Sequence, residues 1–479
     1  MVSTKFSPAT LWRFALVSQS FLRQSGLPFA EVLSEERIEA TFAEEGLEFG
    51  DQDAGEGQIV YTPAVTLWAF LSQMLFADEQ RSCVAAVARV AVLWATLGKQ
   101  ICASNTGAYC RARAKLSEAV LERLTREVAD ECERQVPADW LWCGRRVLLG
   151  DGTIISLPDT EANQACYPQM AAQAPGLGFP LMRLVVLFSL ATGLLHEVRM
   201  GPYAGKETGE TALLRELFSR FEAGDVLLAD RYYGGWFMIA LLQELGVDVV
   251  VRLHQLREAN FRKGERLGKG DHVVEWPRPQ RPEWMDEETY ARMPASLRLR
   301  EVQVRVEEPG FRVQSLVVVS TLLDATTYSS QELATLYRRR WLVELDLRTI
   351  KSTLKLDVLR CKTPEMARKE LRTGLLAYNL IRQTMLQAAI AAECSPRELS
   401  FTAAMQTIAA AWLVAVIAEE HAPLLTELRL KHIASHATGH RPNRIEPRAI
   451  KRRPKPHDLL TEPRADARAK LLANHVAQV

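Results

Sequence analysis

The chain has 479 residues, more than one ordinary hydrophobic core accommodates, so two or three domains are expected. A hydrophobic share of 48% and a charged share of 24% are those of a soluble globular protein and exclude a low-hydrophobicity disordered chain. The net charge of +1 excludes a globally basic protein, so a nucleic-acid partner requires cations gathered locally.

The start of the chain, Met1 to Arg13, lacks a long apolar run ending in small residues, so no signal peptide is expected. Residues 1–140 read as a helical domain, with apolar residues at helical spacing in Thr66–Phe76, Cys83–Leu97 and Leu116–Val128. The acidic, Gly-rich run Asp51–Gln58 reads as a loop. Ser104-Asn105-Thr106 offers capping oxygens to a following helix that carries Arg111, Arg113 and Lys115. That helix is either the recognition helix of a helix-turn-helix or an ordinary solvated face. The 8 cysteines form no Cys-x-x-Cys pair and no zinc-spaced cluster, which points to free thiols in a reducing cytoplasm.

From about 145 the period changes. Arg146–Asp151 and Asp225–Asp230 are short apolar runs that each end in an aspartate. Leu181–Leu190, Leu195–Met200 and Val247–Leu253 are further strands, and Glu210–Phe221 and Trp236–Leu245 are helices. Three strands, helix, strand, helix, strand is the order of a ribonuclease H-like mixed sheet: directly linked strands pair antiparallel and helix-linked ones parallel. Residues 141–255 therefore read as the first part of an α/β catalytic core, and 256–312, polar and Pro-rich with alternation at Leu297–Val306, as a β-rich insertion. The core resumes over 313–425 with a strand at Gln314–Thr321, a long helix from Ser330 and Ala-rich C-terminal helices. Phe401–Ala418 is apolar, but Gln406, Thr407 and its alanines favour a buried helix over a membrane span. Residues 426–479 form a basic tail; from Arg429 to His457 it is dense in Arg and Lys, and Pro442, Pro447, Pro454 and Pro456 keep it extended. Such a tail suits salt-sensitive contact with a phosphate backbone.

A carboxylate at the end of a buried strand is aimed into a cleft from a rigid element, although an Asp before Gly also starts turns. Tyr337, Arg340, Glu344, Arg348, Lys351 and Lys355 fall on one stripe of an ideal helix, with Trp341 beside it. Ion pairing with Glu344 leaves an excess of cations on that stripe, which a phosphate backbone neutralises while the acid faces a metal ion. Asp346, on the opposite side of the helix, and Glu332, ahead of the stripe, are poorer candidates for the third acid.

Tyr337-x-x-Arg340-x-x-x-Glu344-x-x-x-x-x-x-Lys351 resembles the Y-R-E-K motif of the insertion-sequence-four family of DDE transposases. Asp151-Gly152-Thr153 and Leu228-Ala229-Asp230-Arg231 resemble that family's first and second acidic motifs. Leu157–Thr160, Gly178–Pro180, Gly201–Tyr203 and Lys451–Pro456 are also similar to it, so the likeness runs from about 145 to 460. The resemblance implies a transposase that binds transposon ends and performs metal-dependent strand cleavage and transfer. Asp151, Asp230 and Glu344 would hold two Mg²⁺ ions, with Mn²⁺ as a substitute. Tyr337, Arg340 and Lys351 would grip phosphates near the cut, with Arg231 and Arg348 as further DNA contacts. Trp341 would stack on DNA or pack in the core. The partners implied are double-stranded DNA, as terminal inverted repeats and target, and a second copy when DNA is bound; the place is the bacterial cytoplasm. Relatives also place a Trp on the last insertion strand to stack a flipped base. Gln314–Val318 has no aromatic there, leaving Trp276 and Trp284 as substitutes. A nuclease without strand transfer and a silent, transposase-derived DNA-binding protein are the alternatives.

Overall fold

The computed structural model describes residues 33, 35–44, 60–76, 80–96, 104–305, 315–417, 422–438 and 460–476. The Asp51–Gln58 loop, Met1–Arg13 and residues 439–459 of the basic tail, including Lys451–Pro456, lie outside the described residues; the tail expected to be extended from Arg429 is helical up to Ala434.

Among the described residues, five helices lead the chain: α1 (Glu35–Glu44), α2 (Pro63–Leu75), α3 (Cys83–Thr96), α4 (Gly107–Lys115) and α5 (Glu118–Glu133). Thr62 starts α2 by accepting the Val65 amide at 3.3 Å, with Pro63 at the first turn, where a missing N–H costs nothing. Three strands follow, β1 (Val147–Ser156), β2 (Leu181–Ser189) and β3 (Leu195–Pro202), with α6 (Glu161–Cys166) between the first two. Then come α7 (Glu210–Arg215), β4 (Val226–Ala229), α8 (Trp236–Glu244) and β5 (Asp248–Arg252). The helix expected over Glu210–Phe221 stops at Arg215 and resumes as a 3-10 turn at Phe218–Arg220.

The strands of the core lie in the order β3-β2-β1-β4-β5. β1, β2 and β3 pair antiparallel, whereas β4 pairs parallel with both β1 and β5. This is the ribonuclease H-like mixed sheet expected from the element order. The insertion adds β6 (Glu265–Gly268), β7 (Asp271–Pro277), α9 (Glu287–Arg292) and β8 (Ser296–Arg305). Through β9 (Ser315–Ser320) these strands join the β5 edge, so the described strands form one nine-stranded sheet.

Both faces of the central strands are buried, which is why they read as continuous apolar runs. Leu149, Val186, Leu228 and Val250 face one side, where they pack with the N-terminal helices and the long helix α12 (Pro364–Ala391). Leu148, Val185, Leu227 and Val249 face the other, under α7 and α8. The N-terminal helices thus share a hydrophobic core with the sheet rather than closing one of their own. Arg81, between α2 and α3, seals this junction with a buried ion pair to Glu370 of α12 at 2.9 Å.

The helix expected to run unbroken from Ser330 is in three pieces. α10 (Ser330–Arg339) ends in bonds between residues three apart: Arg340 N–H to Tyr337 O at 3.1 Å and Glu344 N–H to Trp341 O at 3.1 Å. α11 (Leu342–Arg348) follows, then a π turn at Thr349–Thr353 closed by Leu354 N–H to Thr349 O at 3.0 Å. The tight turn overwinds the chain ahead of Glu344 and the wide turn underwinds it around Lys351, so the ideal stripe is not preserved. Beyond α12 lie α13 (Phe401–Ile417), α14 (Ala422–Ala434) and α15 (Arg464–Val476). α13 is packed against the core, with Trp412 stacked on Trp68 at 5.4 Å. Among the described residues no helix is long and apolar enough to cross a membrane.

Candidate active site

The parallel register of β1 with β4 ends at Gly150 and Ala229. The next residue of each segment is an aspartate, so Asp151 and Asp230 lie side by side: Asp230 directly follows β4, whereas Asp151, expected at a strand end, lies inside β1, which runs on to Ser156 against β2. Each commits one oxygen to its own backbone: Asp151 Oδ1 accepts the Gly152 amide at 2.8 Å, and Asp230 Oδ1 accepts the Tyr232 amide at 2.6 Å. The first closes on its own strand and the second starts a 3-10 turn.

Arg340 connects these acids to the helix. Its Nη2 donates to Glu344 Oε1 at 2.7 Å and its Nη1 lies 3.9 Å from Asp151 Oδ2. Burial pushes the Asp151 carboxyl up to about 6, against the Gly152 amide and Arg340, which favour its charged form; Glu210 and Asp230 add to the upward push. Burial likewise pushes the Tyr337 phenol up to about 12, with Arg340 opposing and Asp230 reinforcing. Tyr337, Arg340, Glu344, Asp151 and Asp230 therefore form one electrostatic neighbourhood. Among the described residues no three His, Cys, Asp or Glu side chains gather closely enough to hold a metal ion. A guanidinium stands between Asp151 and Glu344 instead.

Lys351 reaches the same strand from the π turn. Its Nζ donates to Ile154 O at 3.0 Å and to Thr153 Oγ1 at 3.2 Å. Trp341, at the joint between α10 and α11, is 52% exposed, so of its two expected fates packing in the core is excluded. Arg348 is exposed and Arg231 half-buried.

The competing acids have other partners. Glu332 forms a capping box with Ser329: its Oε2 accepts the Ser329 amide at 2.7 Å and Ser329 Oγ accepts the Glu332 amide at 3.1 Å. Asp346 is buried between Arg382 and Arg397. Glu332→Ala is expected to cost about 1 kcal/mol of stability, the usual scale for a lost cap. It should leave DNA cleavage intact; urea unfolding and a cleavage assay on the same preparation check both.

The N-terminal cations are not brought to this neighbourhood. Arg113 is turned inward: its guanidinium lies 4.9 Å from the Phe70 ring centroid and donates to Gln73 Oε1 at 3.4 Å. It does not stand on a DNA-facing line, because α4 packs that side on α2 and buries Tyr109 and Ala112. Arg111 and Lys115 are exposed. Of the insertion tryptophans, Trp276 is buried and its Nε1 donates to Glu301 Oε1 at 3.2 Å. Trp284 lies under Arg215, 3.8 Å from ring centroid to guanidinium.

One further acid belongs here. Glu210 opens α7 and lies over Gly152, where a Cβ would come within 2.4 Å of the Glu210 carboxyl carbon. It accepts from the Tyr233 hydroxyl at 3.3 Å. In the sequence Glu210 is an ordinary first-turn acid. The available signal is Gly152 itself, since a glycine inside a strand often marks a close approach.

Residues 142–380, half of the chain, match the family described as transposase DDE domain. The chain is 30% identical over 292 residues to the transposase InsG for insertion sequence element IS4 of Escherichia coli (strain K12), across 59% of this chain and 61% of that protein. It is 43% identical over 65 residues to the transposase for insertion sequence element IS421 of Escherichia coli. The chain therefore spans less than two thirds of the length of the curated relatives it matches. It also aligns at a TM-score of 0.41 and 11% identity with a piggyBac transposase solved as a synaptic complex with hairpin DNA, over 94% of this chain and 88% of that one. The chain belongs to the IS4-like family of DDE-type transposases, built on a ribonuclease H-like core.

Proposed function

We propose that this protein is a cut-and-paste transposase that binds the ends of its element as double-stranded DNA, cuts them by metal-dependent phosphoryl transfer and joins the freed 3′ ends to target DNA. The observation that carries the reading is the register of β1 and β4, which sets Asp151 beside Asp230 one residue past the last parallel pair. Arg340 then brings Glu344 to the same place.

The donor set fits hard divalent cations. It consists of carboxylate oxygens alone, and the region between Asp151 and Glu344 already accommodates a cationic group. Asp151, Asp230 and Glu344 are the residues that would hold Mg²⁺ or Mn²⁺. When bound, the ions supply a hydroxide near neutral pH and charge stabilisation for the leaving 3′ oxygen. The chain's own groups do the rest. Arg340 exchanges its carboxylates for a phosphate of the DNA, and Lys351 does the same from the backbone of β1. Tyr337 keeps its proton and donates it in a hydrogen bond. Trp341 offers an exposed face to a base, while Arg231 and Arg348 extend the cationic surface. No side chain needs to form a covalent bond to DNA. Two ends require two sites, so two copies act on one element.

The test uses the purified chain with a duplex carrying the element's own ends and a supercoiled target. In Mg²⁺ or Mn²⁺ it is expected to yield nicked ends and joined products, and in EDTA neither. Cleavage that persists in EDTA would overturn the reading; cleavage without joined products would make the protein a nuclease.

A further inference from the structure

We propose that Asp346 is a positioning residue for Glu344: its buried clamp fixes the rotation of α11 and hence the direction of the Glu344 carboxylate. This rests on the reading of Glu344 as a metal-holding residue.

α11 has only seven residues, with a tight turn before it and a π turn after it. A helix so short has little stability of its own, and its orientation depends on tertiary anchors. Glu344 faces Arg340, whose other guanidinium nitrogen lies 3.9 Å from Asp151. Asp346 lies two residues on, about 200° around the axis, and is fully buried. Its Oδ1 accepts from Arg382 Nη2 at 2.6 Å and from the Tyr378 hydroxyl at 3.1 Å, and its Oδ2 accepts from Arg397 Nη1 at 2.6 Å.

Each partner is fixed in turn to a different element. Tyr378 and Arg382 belong to α12, and the single Tyr378 hydroxyl proton is shared between Asp346 Oδ1 and Gly193 O, the latter at 2.8 Å. Arg397 stands in the 3-10 turn Pro396–Glu398 and donates to Leu190 O at 3.0 Å and Ser189 O at 2.5 Å, at the end of β2. Gly193, between β2 and β3, has φ +79°, and a Cβ there would lie 2.9 Å from both Arg382 Cζ and Arg397 Nη1. The glycine is thus required both for its backbone conformation and for the approach of two guanidinium groups. One carboxylate on the far side of α11 is thereby referenced to α12, to the turn after it and to the sheet that carries Asp151.

Apolar residues of similar volume could fill this space without the desolvation of three charges. What they could not supply is direction, because two forked donors and a phenol fix a carboxylate's orientation as apolar contact does not.

The test reads metal affinity, by titrating Mn²⁺ into the metal-free chain and following free Mn²⁺ by electron paramagnetic resonance. Asp346→Asn, isosteric but uncharged, is expected to weaken Mn²⁺ binding by about 10-fold or more, the scale for groups that orient a metal ligand. Cleavage should recover in part as Mn²⁺ is raised, which a loss of fold would not allow. If Asp346→Asn does not fold, the triple variant Asp346→Leu/Arg382→Met/Arg397→Met removes all three charges together and is expected to fold with the same weakened affinity. A folded variant of either kind that binds Mn²⁺ like the unmodified chain overturns the inference. Glu344→Gln separates the two levels. If it weakens Mn²⁺ binding while the Asp346 variants do not, only the positioning role fails; if it has no effect, the reading of Glu344 fails and takes this inference with it.

Discussion

Asp151→Asn is expected to yield a protein that is more stable without metal, yet unable to cut DNA. The carboxyl sits at about 6 in the folded chain, against about 3.9 in an unfolded one. A raised carboxyl means that the fold prefers the protonated form. Stability from this group is fully present below about pH 4, declines as pH rises through 6 and is flat above that. At neutral pH the metal-free protein therefore carries a penalty of roughly 2–3 kcal/mol from this one side chain. Asparagine keeps the oxygen that accepts the Gly152 amide and removes the buried charge, so the variant escapes the penalty. Urea unfolding in EDTA should show the two proteins converging near pH 4 and separating by about 2 kcal/mol at pH 7 and above. Equal stability across that range would mean that Asp151 is not strained by burial.

Loss of cutting follows from the same charge. A carboxylate ligand contributes several kcal/mol to a metal-held transition state, so Asp151→Asn should lower cleavage by at least about 10³-fold. Glu344→Gln should lose cleavage to the same degree but without the gain in stability. Glu344 is the closer partner of Arg340, and removing its charge forfeits an i,i+4 pair worth about 0.5 kcal/mol. Opposite signs in stability with a shared loss of activity would separate a buried, metal-demanding acid from one already neutralised by its neighbour. The cleavage prediction fails if either variant cuts transposon ends at the normal rate in Mg²⁺.

The two aspartates were legible because each closes an apolar run, and two such runs in a parallel pair place their acids together. The expected strand end holds for Asp230 alone: β1 runs on to Ser156, paired with β2, and at Asp151 only its pairing with β4 stops. Glu344 was legible as an acid among cations. The manner in which it meets Asp151 was not, because no proline or glycine marks the joint at Arg340 and Trp341. The overwound turn there and the π turn at Thr349–Thr353 are set by what α11 packs on, and a linear helical spacing does not carry that information. Arg113 shows the same limit. On a helix of nine residues its spacing allows a solvated line, and only docking on Phe70 turns it inward. Glu210 was hidden because its partner is Gly152, distant in sequence and visible only as an absence of side chain.

The N-terminal helices also looked separable in the sequence, since helical periodicity does not say which partner covers the apolar face. Arg81→Met tests how firmly they are joined to the core. Arg81 and Glu370 are both almost fully buried, and burial pulls the Arg81 guanidinium down from its ordinary value while Glu370 opposes this. Arg81 Nη1 also donates to Lys355 O at 2.7 Å, at the end of the π turn that carries Lys351. Glu370 Oε2 accepts the amides of Arg360 and Cys361, each at 2.9 Å. Removing the arginine strands a buried carboxylate, which typically costs about 3–5 kcal/mol. The double variant Arg81→Met/Glu370→Gln leaves no charge behind, and its amide oxygen still accepts from the backbone at Arg360 or Cys361. It is expected to regain roughly 2 kcal/mol over the single variant in urea unfolding. An equal loss in both would place the cost in the packing of the arginine's stem and not in the unpaired charge. A loss below about 1 kcal/mol in the single variant would mean that the helices are held by their apolar contacts alone, with the ion pair no more than neutral.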